Sequence, residues 1–317
     1  MKNNQLIDRS SGNERLARRN RMRLNVPYLV MLIIPVTLFL LFNYWPMFGL
    51  VMAFQNYKAG NAFIAANTKW VGLKWFKQLF RSPLFFRSVR NTLALSSLDL
   101  LISFPMSIIL ALLLNEVTKK RFRHFASNIS LLPYFVSTVV IVGIMKNMLS
   151  LDSGAVNNLI AKAGGDKIDF FGSSKWFRPL YIMSNIWKNT GFNAVIFTAA
   201  ISGIDPQLYE AAALDGSDRF KNLFKITLPC ILPTVMIMFI LKVGQLLTVG
   251  YEKVLLMYSP TIYDTADILS TYSYRLGIID GKTSLATAIN LFNAVCNLIL
   301  LWVANTVSKK ASDTSLF

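Results

Sequence analysis

Four side chains that can hydrogen-bond to hydroxyl groups recur at helical spacing within the otherwise apolar stretch 180–201. They are Asn185, Lys188, Asn189 and Asn193, at offsets of zero, three, four and eight residues, so they share one face of a helix. Amides and an ammonium can hold a solute rich in hydroxyls without breaking any covalent bond in it. The pattern therefore predicts the wall of a polar path through apolar surroundings.

A second polar pair interrupts the apolar run 231–249, where Lys242 lies near the middle and Gln245 follows one turn later. A lysine at the centre of a membrane span costs roughly 2.5 to 3.5 kcal/mol on insertion scales, so it is expected to face a cavity or a partner. Trp187 and Tyr251 lie near these residues and offer aromatic faces to a solute on the same path. The alternative for the whole set is pairing between helices or with a second membrane subunit.

The charges within these runs are unbalanced. Lys146, Lys188 and Lys242 are all positive, whereas Asp99 is the one obvious buried acid. This imbalance favours an anionic solute. The alternative is that Asp99 and acids on a partner subunit neutralise the lysines.

Residue types that support catalysis or metal binding are scarce. His124 is the only histidine, and one histidine cannot build a zinc site or a Ser-His-Asp triad. Cys230 and Cys296 form no CxxC pair and are expected to be ordinary core cysteines. The segment "GIIDGKTS" (277–284) has three residues between its glycines where a phosphate-binding loop needs four. We expect no catalytic residue, metal site or nucleotide site in this chain.

The composition is that of a membrane protein. Of 317 residues, 54% are hydrophobic and 15% charged, against roughly a quarter charged in soluble proteins. Six apolar windows approach the roughly 20 residues that cross a bilayer. They run from Leu24 to Tyr44, Asn91 to Leu114, Ile129 to Met148, Leu180 to Ile201, Ile231 to Val249 and Leu285 to Val307. The predicted fold class is an all-α integral membrane protein with six transmembrane helices.

Positive residues next to the spans predict the topology. The tail 1–23 carries several arginines and no cleavage site follows the first span, so that span is interpreted as a retained anchor with a cytoplasmic N-terminus. Six crossings return the tail 308–317 to the cytoplasm, and 24–307 becomes the transmembrane domain. The lysines between the first two spans oppose this orientation, but that loop is long and long loops weigh less. The net charge of +17 is explained by topology and membrane lipid rather than nucleic acid.

The loop 205–229 has clear helix signals. Asp205 followed by Pro206 predicts a helix over Pro206 to Leu214, and Asp215-Gly216 predicts a turn. The segment "SDRFKNLFKI" then predicts an amphipathic helix before Pro229 opens the next span. A slim alanine face beside the Glu210 carboxylate suits docking to a basic partner. An interfacial hairpin that merely joins two spans is the alternative.

The same loop resembles the EAA loop of ATP-binding-cassette importer permeases, whose pattern is EAA, three residues, G, nine residues and I-x-L-P. The matching residues are Glu210, Ala211, Ala212, Gly216, Ile226, Leu228 and Pro229. Tyr209 and Asp215 extend the likeness to the carbohydrate branch, that of the MalF/MalG-like permeases, although Ser217 stands where alanine is common. The resemblance implies that this loop couples the chain to an ATPase and that the fold is the type I importer permease fold.

Further segments resemble the LplB-type permeases for polysaccharides and complex glycans. They are "YWPMFGLVMAFQNY" (44–57), "ISGIDPQLYEAA" (201–212) and "VGYEKVLLMYSPTIYDTADILSTYSYRLGI" (249–278), so the likeness covers most of the chain. The chain lacks the glycine-glycine-proline segment that follows the fifth span in simpler sugar permeases. A small sugar such as maltose is therefore a less expected cargo. Together with the excess of lysines, the resemblance implies an anionic glycan, such as a uronic-acid oligosaccharide.

The resemblance implies partners and no chemistry in the chain itself. A second, usually non-identical permease would complete the pore, two ATPase subunits would bind ATP and magnesium, and an extracellular solute-binding lipoprotein would deliver the glycan. Two other classes stay open from the residues alone. An ion-gradient-driven secondary transporter or channel would commonly show inverted repeats and paired acids, which we do not find in the sequence. A membrane scaffold would keep the docking loop but would not need polar stripes inside its spans.

Overall fold

The computed structural model of the protein describes residues 26–58, 60, 68–312 and 315. Within these residues the regular elements are helices, together with one isolated antiparallel bridge between Gln55 and Trp70. The basic tail predicted over residues 1–23 lies outside the described residues. The helices are α1 (Val26–Phe54), α2 (Lys74–Leu79), α3 (Pro83–Glu116), α4 (Lys120–Leu131), α5 (Thr138–Met148), α6 (Ala155–Lys162), α7 (Ser174–Ser202), α8 (Pro206–Leu214), α9 (Arg219–Val243), α10 (Tyr251–Met257), α11 (Tyr263–Ala266), α12 (Leu269–Tyr274) and α13 (Thr283–Ser312).

Among the described residues, four helices are long and apolar enough to cross a membrane, namely α1, α3, α9 and α13. Helix α7 has 29 residues, about 43 Å at 1.5 Å per residue, but it is more polar than these four. Helices α4 and α5 pass the test only as a pair, and they bend by 93° between Phe135 and Thr138. The third predicted span is therefore a broken helix and not a straight one.

The bend has a local cause. Pro133 lies in a tight helical turn, Leu132–Phe135, that ends α4. Ser137 then has an extended backbone, and its hydroxyl accepts a hydrogen bond from the backbone N–H of Val140, so it caps the start of α5. The hydrophobic window averages over this break and cannot detect it.

The fifth predicted span is shifted in the structure. Helix α9 ends at Val243, and residues 244–250 form a turn rather than the end of a helix. Lys242 is therefore next to the last residue of the helix and not near the middle of a span. Gln245 lies in the turn, so the prediction that it continues the helical face of Lys242 is wrong. The turn brings both residues to the same cavity, as described below.

Helix α7 is central to the packing of the described residues. Its C-terminal half contributes Ala194 and Phe197 to a core that includes Ala111 of α3. Its N-terminal half contributes Phe177 to a second core that includes Val142 of α5. The polar stripe, from Asn185 to Asn193, lies along α7 between these two cores.

Helix α1 is attached to the rest of the molecule by only one half. Residues 26–48 are exposed along their whole length. From Trp45 to Phe54 the chain becomes a tighter helical segment that packs against α13, where Ala53 is buried. The exposed half of α1 therefore requires lipid or another subunit as its environment.

Gly191 allows α7 and α4 to touch through their backbones. A Cβ atom placed on Gly191 would lie 1.9 Å from the carbonyl oxygen of Ser130, well inside van der Waals contact. Small residues permit this kind of approach between membrane helices. Gly191 lies between Asn189 and Asn193, so the same contact fixes the height of the polar stripe relative to α4.

The segment between α9 and α13 is held by a buried ion pair. The Asp267 carboxylate is fully buried and accepts hydrogen bonds from the Arg275 guanidinium at 2.6 Å and from the Thr271 hydroxyl at 2.9 Å. Asp99, in contrast, is only half-buried. The expectation that Asp99 is the one obvious buried acid is wrong, because Asp267 lies in a loop-rich segment where hydropathy gives no sign of burial.

The cysteines also differ from expectation. Cys230 is exposed on α9 and Cys296 is half-buried on α13, and both are free thiols. The prediction of ordinary core cysteines is therefore wrong for Cys230. Its place on an apolar helix surface is compatible with lipid or a partner subunit instead.

Candidate functional site

A cavity of about 220 Å³ lies between α3, α7, the end of α9 and the turn that follows it. Five of the eight residues predicted for a polar path line it: Asn185, Asn189, Asn193, Lys242 and Gln245. The amides come from one face of α7, whereas Lys242 and Gln245 approach from the other wall. Helical periodicity thus located most of one wall, and the turn after α9 supplies the other.

A chain of hydrogen bonds runs along the α7 wall. The Asp99 carboxylate accepts hydrogen bonds from the hydroxyl of Ser103 at 2.7 Å and from the side-chain amide of Asn185 at 2.5 Å. The amide of Asn189 in turn donates to the Asn185 carbonyl oxygen at 2.6 Å. The hydroxyl of Thr190, which also lines the cavity, is buried without a hydrogen-bond partner. The wall is therefore polar and internally hydrogen-bonded, and the Thr190 hydroxyl can still form a hydrogen bond with a ligand.

Lys242 contributes a positive charge to the cavity. Its side chain is exposed. Among the described residues the ion pairs within 4.0 Å are Arg275 with Asp267 and Lys282 with Asp280, so no carboxylate of the described chain pairs with Lys242. An ammonium facing a small polar cavity can donate charge-assisted hydrogen bonds to an anionic ligand.

Three predicted path residues do not line the cavity. Lys188 donates a hydrogen bond to the Thr138 hydroxyl at 2.9 Å, on the side of α7 that faces α5. Trp187 is exposed on the outer side of the helix. Tyr251 follows Gly250, which lines the cavity, and its ring lies 5.5 Å from that of Tyr274.

Sequence reasoning missed Lys253 and did not include Asp99 among the residues of the polar path, although Asp99 lines the cavity. Lys253 is buried on α10, outside the apolar helices, where its ammonium donates to the Tyr181 carbonyl oxygen at 2.9 Å and lies over the Tyr181 ring. Burial lowers the pKa of Lys253 to about 7, and the nearby Asp99 carboxylate only partly opposes this. We therefore assign Lys253 a supporting role: it does not line the cavity but holds Tyr181, which does. No local pattern identifies it, because its partner is 72 residues away.

The second candidate site is the hairpin of α8 and the start of α9. Helix α8 spans Pro206–Leu214, as the sequence predicts, and the Asp205 carboxylate accepts a hydrogen bond from the backbone N–H of Gln207 at 3.0 Å. Gly216 has φ of +69°, and the N–H of Ser217 bonds the Ala212 carbonyl at 2.9 Å, which closes the helix end. Both ends of α8 are therefore fixed by neighbouring residues of the same loop.

The second arm of the hairpin continues directly into the membrane helix. Helix α9 runs from Arg219 through a wide helical turn, Leu223–Thr227, to Val243. The prediction that Pro229 opens a separate span is wrong. In the wide turn the Leu223 carbonyl accepts a hydrogen bond from the N–H of Leu228, five residues ahead, and Pro229 lies in the first turn of the regular helical segment that follows.

The hairpin presents a carboxylate among exposed apolar groups. Glu210 and Ala211 are exposed on α8, while Ala212 is half-buried. Leu214 is 91% exposed and Phe220 is 78% exposed, and neither is among the residues that the sequence predicts for coupling. Phe220 belongs to the amphipathic pattern of the segment "SDRFKNLFKI", but that pattern by itself indicates only an ordinary helix face. Of the other residues assigned to coupling, Asp215, Gly216 and Pro229 are exposed, Ile226 is half-buried, and Leu228 packs against a core that contains Ile201 and Ile231.

Tyr209 connects the two arms of the hairpin. Its hydroxyl lies 2.9 Å from the hydroxyl of Thr227, which is buried. We expect Tyr209→Phe to lower the free energy of unfolding by about 1 kcal/mol, the usual contribution of one such hydrogen bond. Thr227→Val should give a similar loss, and the double variant should lose little more, because both changes remove the same bond. Thermal unfolding of the purified chain measures all three, and fully additive losses would show that the bond does not brace the hairpin.

Comparison with known proteins identifies the family of this chain. A family model described as "Binding-protein-dependent transport system inner membrane component" matches residues 103–313. The chain is 42% identical to the polygalacturonan/rhamnogalacturonan transport system permease protein YteP of Bacillus subtilis (strain 168), over 92% of the chain and 90% of that relative. It is also 42% identical to Protein LplB of the same organism, over 92% of the chain and 91% of that relative.

A solved structure has the same architecture. The crystal structure of a bacterial alginate ABC transporter in complex with an alginate pentasaccharide-bound periplasmic protein contains a chain that is 41% identical. The match covers 94% of this protein and 99% of that chain, with a TM-score of 0.86. This protein therefore shares its overall fold with a chain of that transporter.

Proposed function

The chain belongs to the family of binding-protein-dependent transport system inner membrane components, and from this premise we propose that it forms one half of the pore of an ATP-driven importer of acidic oligosaccharides. Its sequence relatives include a permease for polygalacturonan and rhamnogalacturonan, and its structural neighbour belongs to an importer of the acidic polysaccharide alginate. These likenesses favour an importer permease over the ion-gradient-driven transporter that the residues alone left open.

The proposed topology has six crossings and cytoplasmic termini. The crossings are α1, α3, the bent pair α4–α5, α7, α9 and α13. Two of the six depart from a uniform apolar span, since α4–α5 bends by 93° and α7 is polar on its cavity face. Backbone irregularity and polar groups at membrane depth are tolerated where they are covered by protein or face a cavity. This arrangement places the hairpin of α8 and α9 in the cytoplasm.

The proposed partners follow from the two sites. The exposed Glu210 and Phe220 would dock on an ATPase subunit, with ATP and magnesium held there and not by this chain. A second permease would cover the exposed faces of the membrane helices and complete the path. An extracellular solute-binding lipoprotein would deliver the glycan, as the periplasmic protein in the neighbouring structure carries an alginate pentasaccharide.

The observation that carries the acidic substrate is the Lys242 ammonium, which has no ion-pair partner among the described residues and faces the cavity from the wall opposite the α7 amides. Amide and hydroxyl groups along α7 can hydrogen-bond sugar hydroxyls, and Asp99 can accept from them. Lys242 can bind a uronate carboxylate with a charge-assisted hydrogen bond, which is roughly twice as strong as a neutral one. A neutral sugar would gain the first set of contacts but not the second.

We expect Lys242→Gln to lower uptake of a galacturonate trisaccharide about tenfold and to leave a neutral trisaccharide of similar size nearly unchanged. A hydrogen bond to a charged group contributes about 1.5 to 3 kcal/mol, and 1.4 kcal/mol is tenfold in affinity. The measurement is uptake of both labelled sugars into vesicles that contain the complete transporter and its loaded binding protein.

Lys146→Gln is the matched control, because it removes a lysine from another predicted span. The Lys146 ammonium lies 5.9 Å from the centre of the Phe171 ring and does not line the cavity, so uptake of both sugars should persist. Equal loss of acidic and neutral uptake in Lys242→Gln would contradict the assigned role of its charge. Failure of wild type to import either sugar with ATP would contradict the proposed function itself.

A further inference from the structure

The charges of α4 are concentrated at its first turn. Basic side chains occupy four of the six positions 119–124 and the only histidine of the chain occupies a fifth; they are Lys119, Lys120, Arg121, Arg123 and His124. The stretch 125–135 that follows carries no charged residue, and Glu116 is the only acid between residues 100 and 151. Within the described part of the chain, the two ion pairs lie elsewhere, so these cations have no carboxylate partner.

An exposed apolar stripe starts beside these cations. It consists of Phe122, Phe125, Ile129 and Leu132, at spacings of three, four and three residues, which is one face of a helix. Phe125 is 61% exposed and Leu132 is 62% exposed. The stripe and the cations thus occupy adjoining parts of the outer surface of α4.

The orientation of α4 is fixed by its other face. Ser130 touches Gly191 of α7 through its backbone, and no closer packing is possible there. Lys120, Arg121 and His124 are exposed, and the nine residues between Arg121 and Ser130, about 2.5 helical turns, put Arg121 on the side of α4 opposite this contact. The exposure of the cations and of the stripe is therefore a consequence of how the two helices pack.

The dimensions of the cationic end match the headgroup layer of a membrane. Six helical residues extend about 9 Å at 1.5 Å per residue. The headgroup region adds roughly 5 to 8 Å on each side of a hydrocarbon core of about 30 Å. When the first turn of α4 lies at this depth, Phe125, Ile129 and Leu132 lie progressively deeper, beside the acyl chains.

We propose that the first turn of α4 and its apolar stripe form a binding site for an anionic phospholipid, with Arg121 holding the phosphate, Lys120 adding positive charge next to it, and Phe125 and Ile129 contacting the acyl chain. A guanidinium binds phosphate through two parallel hydrogen bonds, and an ammonium adds a second charge. The inference rests on the proposed cytoplasmic position of this turn. An acidic face of an ATPase subunit could satisfy the cations, but it would leave the stripe from Phe125 to Leu132 without a partner.

The experiment uses the complete transporter in mixed vesicles of phosphatidylcholine and phosphatidylglycerol. After extraction, native mass spectrometry measures the ratio of the two lipids that stay bound to wild type and to Lys120→Gln/Arg121→Gln. A basic residue near an anionic surface contributes about fivefold in affinity, so the preference for phosphatidylglycerol should fall roughly 25-fold in the double variant. High salt should weaken the preference of wild type as well, because exposed charges are screened.

Lys162→Gln/Lys175→Gln removes the same charge from two exposed positions that the proposed topology places on the other side of the membrane. This control should keep the wild-type ratio. An unchanged ratio in Lys120→Gln/Arg121→Gln, or no preference in wild type, overturns the proposal. Loss of the ATPase subunit from the variant with an unchanged lipid ratio also overturns it and assigns the cations to a protein contact. The lipid ratio does not depend on transport, so these outcomes are separable from failure of the proposed function.

Discussion

Glu210→Lys is expected to reduce the glycan-stimulated ATPase activity of the assembled transporter by more than tenfold. The Glu210 carboxylate is exposed on α8 and has no ion-pair partner among the described residues, so the fold of the chain does not depend on it. Reversing the charge in a buried interface exchanges an attraction for a repulsion, and truncating one member of such a pair already costs about 2 to 5 kcal/mol. The effect should therefore appear in coupling and not in stability.

ATP hydrolysis with and without glycan-loaded binding protein gives the measurement. Glu252→Lys is the matched control, because Glu252 is also an exposed glutamate but lies in the segment after α9. The control should retain the stimulation, and both variants should unfold at the wild-type temperature. Retained stimulation in Glu210→Lys would show that α8 does not dock through its carboxylate. Loss of stimulation together with a lower unfolding temperature would point to a structural defect instead.

Gly191→Ala should destabilise the chain by about 3 kcal/mol, at the upper end of typical overpacking effects. The new Cβ atom would lie 1.9 Å from the Ser130 carbonyl oxygen and 2.3 Å from its carbon. These are backbone atoms, so neither helix can respond by changing a side-chain rotamer. Helices α4 and α7 must separate, which would also shift Asn189 and Asn193 relative to the cavity.

Thermal unfolding in detergent, followed by the fraction of monodisperse protein, measures this loss. Gly143→Ala on α5 is the control, since a Cβ atom there meets nothing within 4 Å. Alanine favours a helix interior over glycine by roughly 0.5 to 1 kcal/mol, so Gly143→Ala should be neutral or slightly stabilising. Equal unfolding temperatures for the two variants would show that α4 and α7 are not in backbone contact.

The hairpin was predictable because its signals are local. Asp205, Pro206 and Gly216 each determine the conformation of residues within one turn, and the structure has α8 over the range these residues specify. What followed Gly216 was less predictable. Pro229 indicated a new helix, but the helix runs continuously from Arg219 through the wide turn Leu223–Thr227 and past the proline.

The cavity was predictable only in part. Periodicity placed Asn185, Asn189 and Asn193 on one face, and all three line the cavity. Lys188 has the same helical spacing but lies at the edge of this face, where it donates a hydrogen bond to Thr138 and does not line the cavity. Lys253 and Asp99 depend on contacts between distant segments, which no window of sequence contains. The bend between α4 and α5 escaped for the opposite reason, because an average over about 20 residues conceals a single break.

The continuity of α9 has a mechanical consequence. With 25 residues this helix is about 37 Å long, and it carries Phe220 of the hairpin near one end and Lys242 of the cavity near the other. A tilt of about 10° pivoting on the hairpin would move Lys242 by roughly 6 Å, more than one helical turn. A small rotation of α9 at the docking surface would thus displace Lys242 by about the width of a sugar ring. If α9 moves as one rigid body about the hairpin, the position of that pivot determines how far the Lys242 ammonium is displaced.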